Sequence, residues 1–118
     1  MTNCSAAQPQ QPVILRGVSG TPVSFELRAV DEPMPPGGGL SIVAARRQGG
    51  EWQVLSVSEI ADFTSAVHRM TTRDIAERHG GEFVLLAHIA ETVVRTARRI
   101  DLIAAFDPPC DGIQSPPA

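Results

Sequence analysis

Residues 40–58 read LSIVAARRQGGEWQVLSVS, and the folding of this stretch decides the rest of the chain. An apolar run begins at Leu40, Gly49-Gly50 gives a turn signal, and a second run starts at Trp52. Two such runs flanking glycines predict a β-hairpin. In the second run Trp52, Val54 and Ser56 point one way, and Gln53, Leu55 and Val57 the other.

Upstream, Val13, Leu15 and Val18 predict a short strand, and Ser19-Gly20-Thr21 a turn. Val23, Phe25, Leu27 and Ala29 then alternate with Ser24, Glu26 and Arg28, the pattern of a half-buried strand. Residues 31–39, DEPMPPGGG, deny helix and ladder alike, so they read as irregular. Gly37-Gly38-Gly39 lacks the following helix and lysine of a phosphate loop and reads as a flexible connection.

Downstream, Ser58 is placed to cap a helix starting near Glu59, with Ile60, Phe63, Val67 and Met70 at helical spacing. Thr71-x-x-Asp74 resembles a capping box and predicts a second helix, ending at His79-Gly80-Gly81. Glu82–Ile89, EFVLLAHI, suits either a buried strand or the start of a long helix; the preceding glycines and the compact apolar run favour the strand. A helix from Ala90 follows, with Val93, Ala97, Ile100 and Ala104 stepping by three or four residues. Glu91 and Arg95 form an i,i+4 pair worth ~0.3 kcal/mol, and Asp107-Pro108-Pro109 ends the helix. Alanines 90, 97 and 104 permit close packing, onto the domain's own sheet or across a homodimer face. These elements predict an α+β fold, a small antiparallel sheet with helices on its faces. Residues 12–112 form one domain between tails at 1–11 and 113–118.

The 118 residues are 42% hydrophobic, enough for a core of one domain. The net charge of -3 implies no bulk attraction to nucleic acid or anionic membrane. All ten basic residues are Arg, and there is no tyrosine. Cys4 and Cys110 stand outside any CxxC or Cys/His array, so zinc is not indicated. The polar opening MTNCSAAQPQQP has no apolar core of a signal peptide, which predicts a cytoplasmic location with reduced thiols. No run has the length of a membrane span.

Three passages, GGGLSIVAARRQGGEWQVLSVSEIADF, DIAERHGGEFVLLAHI and RRIDLIAAFDPPCDG, resemble the GIY-YIG nuclease superfamily. Small bacterial GIY-YIG-like proteins that carry an extra N-terminal hairpin are the most similar in pattern. The resemblance covers residues 12–112 and implies a β-β-α-α-β-α order after that hairpin, with Glu82–Ile89 a strand. Members of the family cut DNA with two strand tyrosines, a helical Arg, a metal-binding Glu and a late Asn. Here the tyrosine positions fall on Ile42 and Ser56, the motif glycine on Ser58 and the Arg on Ala66. The metal carboxylate falls on Arg99 and the Asn on Asp111. An Arg in a metal seat replaces a ligand with a like charge, and the chain has no tyrosine to supply. The resemblance therefore implies a pseudoenzyme, a degenerate nuclease with no metal and no cofactor.

The expected role is a binding or interaction module for a protein or, weakly, a nucleic acid. Arg46, Arg47, Arg95, Arg98 and Arg99 are the candidate contacts with nucleic acid. One alternative is an enzyme with a rebuilt site, in which His68, His79 and His88 act with Glu59, Asp62 or Asp101. Another is a helix-turn-helix DNA binder, from Ile75-Ala76, Gly80, Leu86 and Ile89, although EFVLLAHI offers little to bases or phosphates.

Overall fold

A computed structural model describes residues 12–110. The tails at 1–11 and 113–118, together with Cys4 and Asp111, lie outside the described residues. The fold is α+β: one five-stranded antiparallel sheet and two helices. The strands are β1 (Val13–Arg16), β2 (Pro22–Ala29), β3 (Gly39–Arg46), β4 (Trp52–Ile60) and β5 (Phe83–His88). Helix α1 (Ala66–His79) precedes β5, and α2 (Thr92–Phe106) follows it.

The sheet order is β1-β2-β5-β3-β4. The β1–β2 and β3–β4 hairpins are those the alternation predicts, and β5 inserts between them. Covered on both faces, β5 carries the unbroken apolar run Val84-Leu85-Leu86-Ala87, all buried. The same segment was the recognition helix of the helix-turn-helix alternative, which the central strand rules out.

Each face of the sheet takes one helix. Leu40, Ile42, Val57, Leu85 and Leu102 join α2 to one face. Val43, Leu55, Ile75 and Ala76 join α1 to the other, beside a smaller cluster around Phe63, Val84 and Leu86. After α2 the chain passes the outer edge of β4: the Cys110 amide donates to the Leu55 carbonyl at 3.0 Å, and Cys110 packs on the α1 side.

Between β4 and β5 there is one helix where two were expected. Ser58 is no cap; it lies in β4 opposite Ser41, and the strand runs on to Ile60 because Gly39–Ser41 pair with it. The cap is Ser65, whose hydroxyl accepts the His68 amide at 3.1 Å. Thr71 and Asp74 lie inside α1, which has no internal Pro or Gly to break it; Gly80 ends it in a left-handed conformation.

The triple glycine is not a loose connection either. The Gly37 carbonyl accepts the Phe63 amide and the Gly38 carbonyl accepts the Ile89 amide. A Cβ on Gly38 would fall on the Ala61 carbonyl, and one on Gly39 on the Ala87 carbonyl. Three chain segments meet there at backbone distance, which only glycine permits.

Candidate functional site

Of the six positions that the resemblance marks, the five described do not gather in one cleft. Ile42 is fully buried at the centre of β3, among the side chains facing α2. Ser56 is buried opposite Val43, which packs on the α1 side. Ser58 pairs with Ser41 on that same side, and Ala66 is exposed at the first turn of α1. Arg99 sits on α2, across the sheet from Ala66, and Asp111 lies outside the described residues.

The groove between the β3–β4 hairpin and α2 is filled. Leu40, Ile42, Val54, Val57 and Leu102 occupy it, and an ion pair closes its end. Extension of β4 to Ile60 sets Glu59 opposite Leu40, on the α2 face. Thr96 and Arg99, one helical turn apart, both reach it. The Arg99 Nε donates to Glu59 Oε2 at 2.6 Å, and the Thr96 hydroxyl donates to the same carboxylate at 3.1 Å. The side chains of Arg99 and Glu59 are only 13% and 24% exposed. Sequence reasoning had placed Glu59 on a helix as a candidate acid. Strict alternation does not give it: a bulge at Leu55 shifts the register of β4, so Leu55 faces α1 while Val57, expected on the same side as Leu55, and Glu59 face α2 with Val54.

A second polar bolt fixes α1. His68 Nδ1 lies 2.8 Å from the Phe63 carbonyl, which can only accept, so Nδ1 carries the proton. Nε2, 2.8 Å from Ser41 Oγ, then accepts the hydroxyl proton. A serine hydroxyl on an imidazole is the arrangement of an activated nucleophile, yet both residues are only 3% exposed. No substrate reaches them, and the pair ties α1 to β3.

The three histidines do not converge. His68 and His88 flank the buried Phe63 ring at 5.8 and 5.3 Å, while His79 is exposed at the far end of α1. His88 Nε2 meets Glu26 Oε1 at 3.0 Å, and Arg28 holds the other carboxylate oxygen at 2.8 Å. Burial raises the Glu26 carboxyl, but the hydrogen bonds and charges of Arg28 and His88 outweigh it and leave it below the ordinary range. Asp62 is lowered by the hydroxyl and amide of Thr64, and Asp101 by those of Ser19. An open cleft of about 560 Å³ lies between Gly37, Gly38, Asp62, His88 and Arg95. The side chains lining it are turned to protein partners: Asp62 to Thr64, His88 to Glu26, and Arg95 to the carbonyls of Ile89 and Ala90. That last contact replaces the expected Glu91–Arg95 pair. Among the described residues, no three His, Cys, Asp or Glu side chains are grouped to hold a metal ion.

The arginines are also dispersed. Arg46 stacks over Trp52 at 4.3 Å beside the hairpin turn that holds Arg47. Arg95 and Arg99 lie near the other end of β3, about 20 Å away at the rise of an extended strand. Arg98, half-buried on α2, contributes a lowering charge to Asp101.

The stripe predicted to bury α2 faces outward instead. Val93 is 81% and Ile100 56% exposed, with Ala97 and Ala104 exposed between and beyond them. Val18, expected in β1, is exposed in the adjoining turn, its amide 3.4 Å from the Asp101 carbonyl.

No family model, curated protein or solved structure matches this chain. Among the described residues, no helix is long and apolar enough to cross a membrane.

Proposed function

We propose that the chain is a non-catalytic, GIY-YIG-like domain of bacterial, cytoplasmic origin that works by binding another protein. The observation that supports this best is the Arg99–Glu59–Thr96 cluster at the position the resemblance assigns to a metal carboxylate. A hard divalent ion needs oxygen ligands and several waters. Arg99 presents donors only, carries a permanent charge and occupies Glu59, the nearest carboxylate. Each unit of cation charge at 4 Å from that guanidinium costs about 4 kcal/mol at an effective dielectric near 20. The absence of tyrosine removes the remaining nuclease chemistry.

A protein partner suits the surface better than nucleic acid. The net charge is -3, the candidate arginines are split between two ends of the sheet, and two of them are engaged internally. Contact with phosphates rests on basic side chains gathered along one face.

Purified protein incubated with supercoiled plasmid or single strands, with magnesium or manganese, leaves them intact. Labelled duplex and single-stranded DNA show no saturable anisotropy change at low salt. Cleavage would overturn the non-catalytic reading, and saturable, salt-sensitive binding would replace the protein partner with nucleic acid.

A further inference from the structure

We infer that the partner is a second copy of this chain, docked antiparallel along the outer face of α2. The inference rests on reading the domain as a contact module and names what it contacts.

The outer face carries Val93, Ala97, Ile100 and Ala104, spaced four, three and four residues apart. That is the step of a helix–helix seam. Val93 and Ile100 are among the most exposed large apolar side chains of the described chain, whereas the α2 residues facing the sheet include Arg99 and Thr96. A helix that turns its charges inward and its valine and isoleucine outward has an unmet apolar face.

The order of sizes along the seam selects the occupant. Large and small alternate, so reversing the helix about a two-fold between Ala97 and Ile100 sets every large residue against a small one. Val93 meets the second copy's alanine at 104, and Ile100 meets its alanine at 97; the same contacts repeat across the axis. Such self-complementarity is what an isologous contact requires. A parallel pair would set Ile100 on Ile100 and leave a gap at Ala97. The antiparallel pair also places the N-terminal end of each helix dipole beside the C-terminal end of the other.

A seam of four residues, two of them alanines, makes a weak contact, so the pair forms and dissociates with concentration.

Sedimentation equilibrium of the full chain from micromolar to millimolar concentration tests this with three variants. The wild type shows a monomer–dimer equilibrium. Ala97→Glu and Ile100→Lys each weaken it about tenfold or more, since a charge then faces an apolar residue twice. Both sites are exposed, so circular dichroism and melting stay those of the wild type. An equimolar mixture of the two variants associates again, because the introduced carboxylate at 97 faces the introduced ammonium at 100. Met70→Glu, on the exposed face of α1, leaves the equilibrium unchanged. A wild type that stays monomeric at millimolar concentration overturns the inference but leaves the non-catalytic reading intact, since that reading fails only by cleavage. A dimer that survives both α2 variants, or is lost in Met70→Glu, also overturns it, as does a mixture that fails to associate.

Discussion

The two helices lie on opposite faces of one sheet and are built in the same inverted way. Helix α1 buries His68 and Thr72 with Ile75 and Ala76, and exposes Val67 and Met70. Helix α2 turns Thr96, Arg99 and Leu102 inward and exposes Val93 and Ile100. Each is anchored at one point by a hydrogen-bonded polar group, His68 on Ser41 and Arg99 on Glu59. The anchors are close in the sheet, because Ser41 pairs with Ser58 and Leu40 with Glu59. They differ in solvent access: the α1 anchor is sealed, while the α2 anchor is an ion pair and partly wet. A polar anchor relieves a helix of the need for a fully apolar inner face, which leaves apolar residues free for the outer one. In α1 the outer apolar residues amount to one turn; in α2 they form a continuous seam.

The sealed anchor gives the largest expected effect. His68→Ala removes two hydrogen bonds, strands the buried Ser41 hydroxyl and opens a void, for a loss of about 3 kcal/mol in denaturant unfolding. A loss below about 1 kcal/mol would mean that α1 is held by Ile75 and Ala76 alone.

The wet anchor is worth less. Arg99→Ala leaves the largely covered Glu59 carboxylate with only the Thr96 hydroxyl, and about 2 kcal/mol is lost, below the ~3–5 of a fully buried pair. The double variant Glu59→Leu/Arg99→Met recovers most of that loss, since an apolar pair of similar volume needs no desolvation. If the double variant is as unstable as the single one, the comparison fails, because the groove would then depend on the ion pair itself.

Outer-face changes are the control. Val67→Ser and Val93→Ser both lie within about 0.5 kcal/mol of the wild type in dilute solution, as exposed sites do. A larger loss at Val93 in the monomer would show that the seam is packed within the chain.

The smallest effect concerns the junction of the β1–β2 turn with α2. The Ser19 hydroxyl and amide donate to Asp101 at 2.7 and 2.9 Å and hold its carboxyl below the ordinary 3.8. A carboxyl depressed on folding adds stability that is complete above the ordinary value and is lost as pH falls through the lower, folded-state value. Asp101→Asn therefore flattens a small acid-limb decline in the denaturation midpoint and changes its pH dependence little near neutrality. An unchanged acid limb would remove Asp101 from that junction.

How much of this was legible depended on whether the deciding contact was local. The alternation of Val23, Phe25 and Leu27 and the run Val84–Ala87 named their strands, because burial on one face or on two leaves its own pattern. The start of α1 was not legible. Ser58 and Ser65 are both good caps, and the choice was made by Gly39–Ser41 pairing with Ser58–Ile60 from across the hairpin. The inner faces of both helices were misread for one reason: His68 and Arg99 look like surface residues until Ser41 and Glu59, 27 and 40 residues away, arrive beside them. Period marked the apolar stripe of α2, but not that it faces away from the sheet. The packed role of Gly38 and Gly39 was likewise hidden, since nothing local reports that the carbonyls of Ala61 and Ala87 press on them.

Manganese titration of the wild-type chain by calorimetry tests the central claim, that Arg99 closes the would-be metal seat, most directly. The account predicts dilution heats alone up to millimolar metal, because Glu59 is bound to Arg99 and, among the described residues, no carboxylate cluster is grouped to hold a metal ion. A saturable one-site isotherm would contradict it, most sharply one that strengthens in Thr96→Ala or vanishes in Glu59→Gln, for then Glu59 would be serving a metal ion in preference to Arg99.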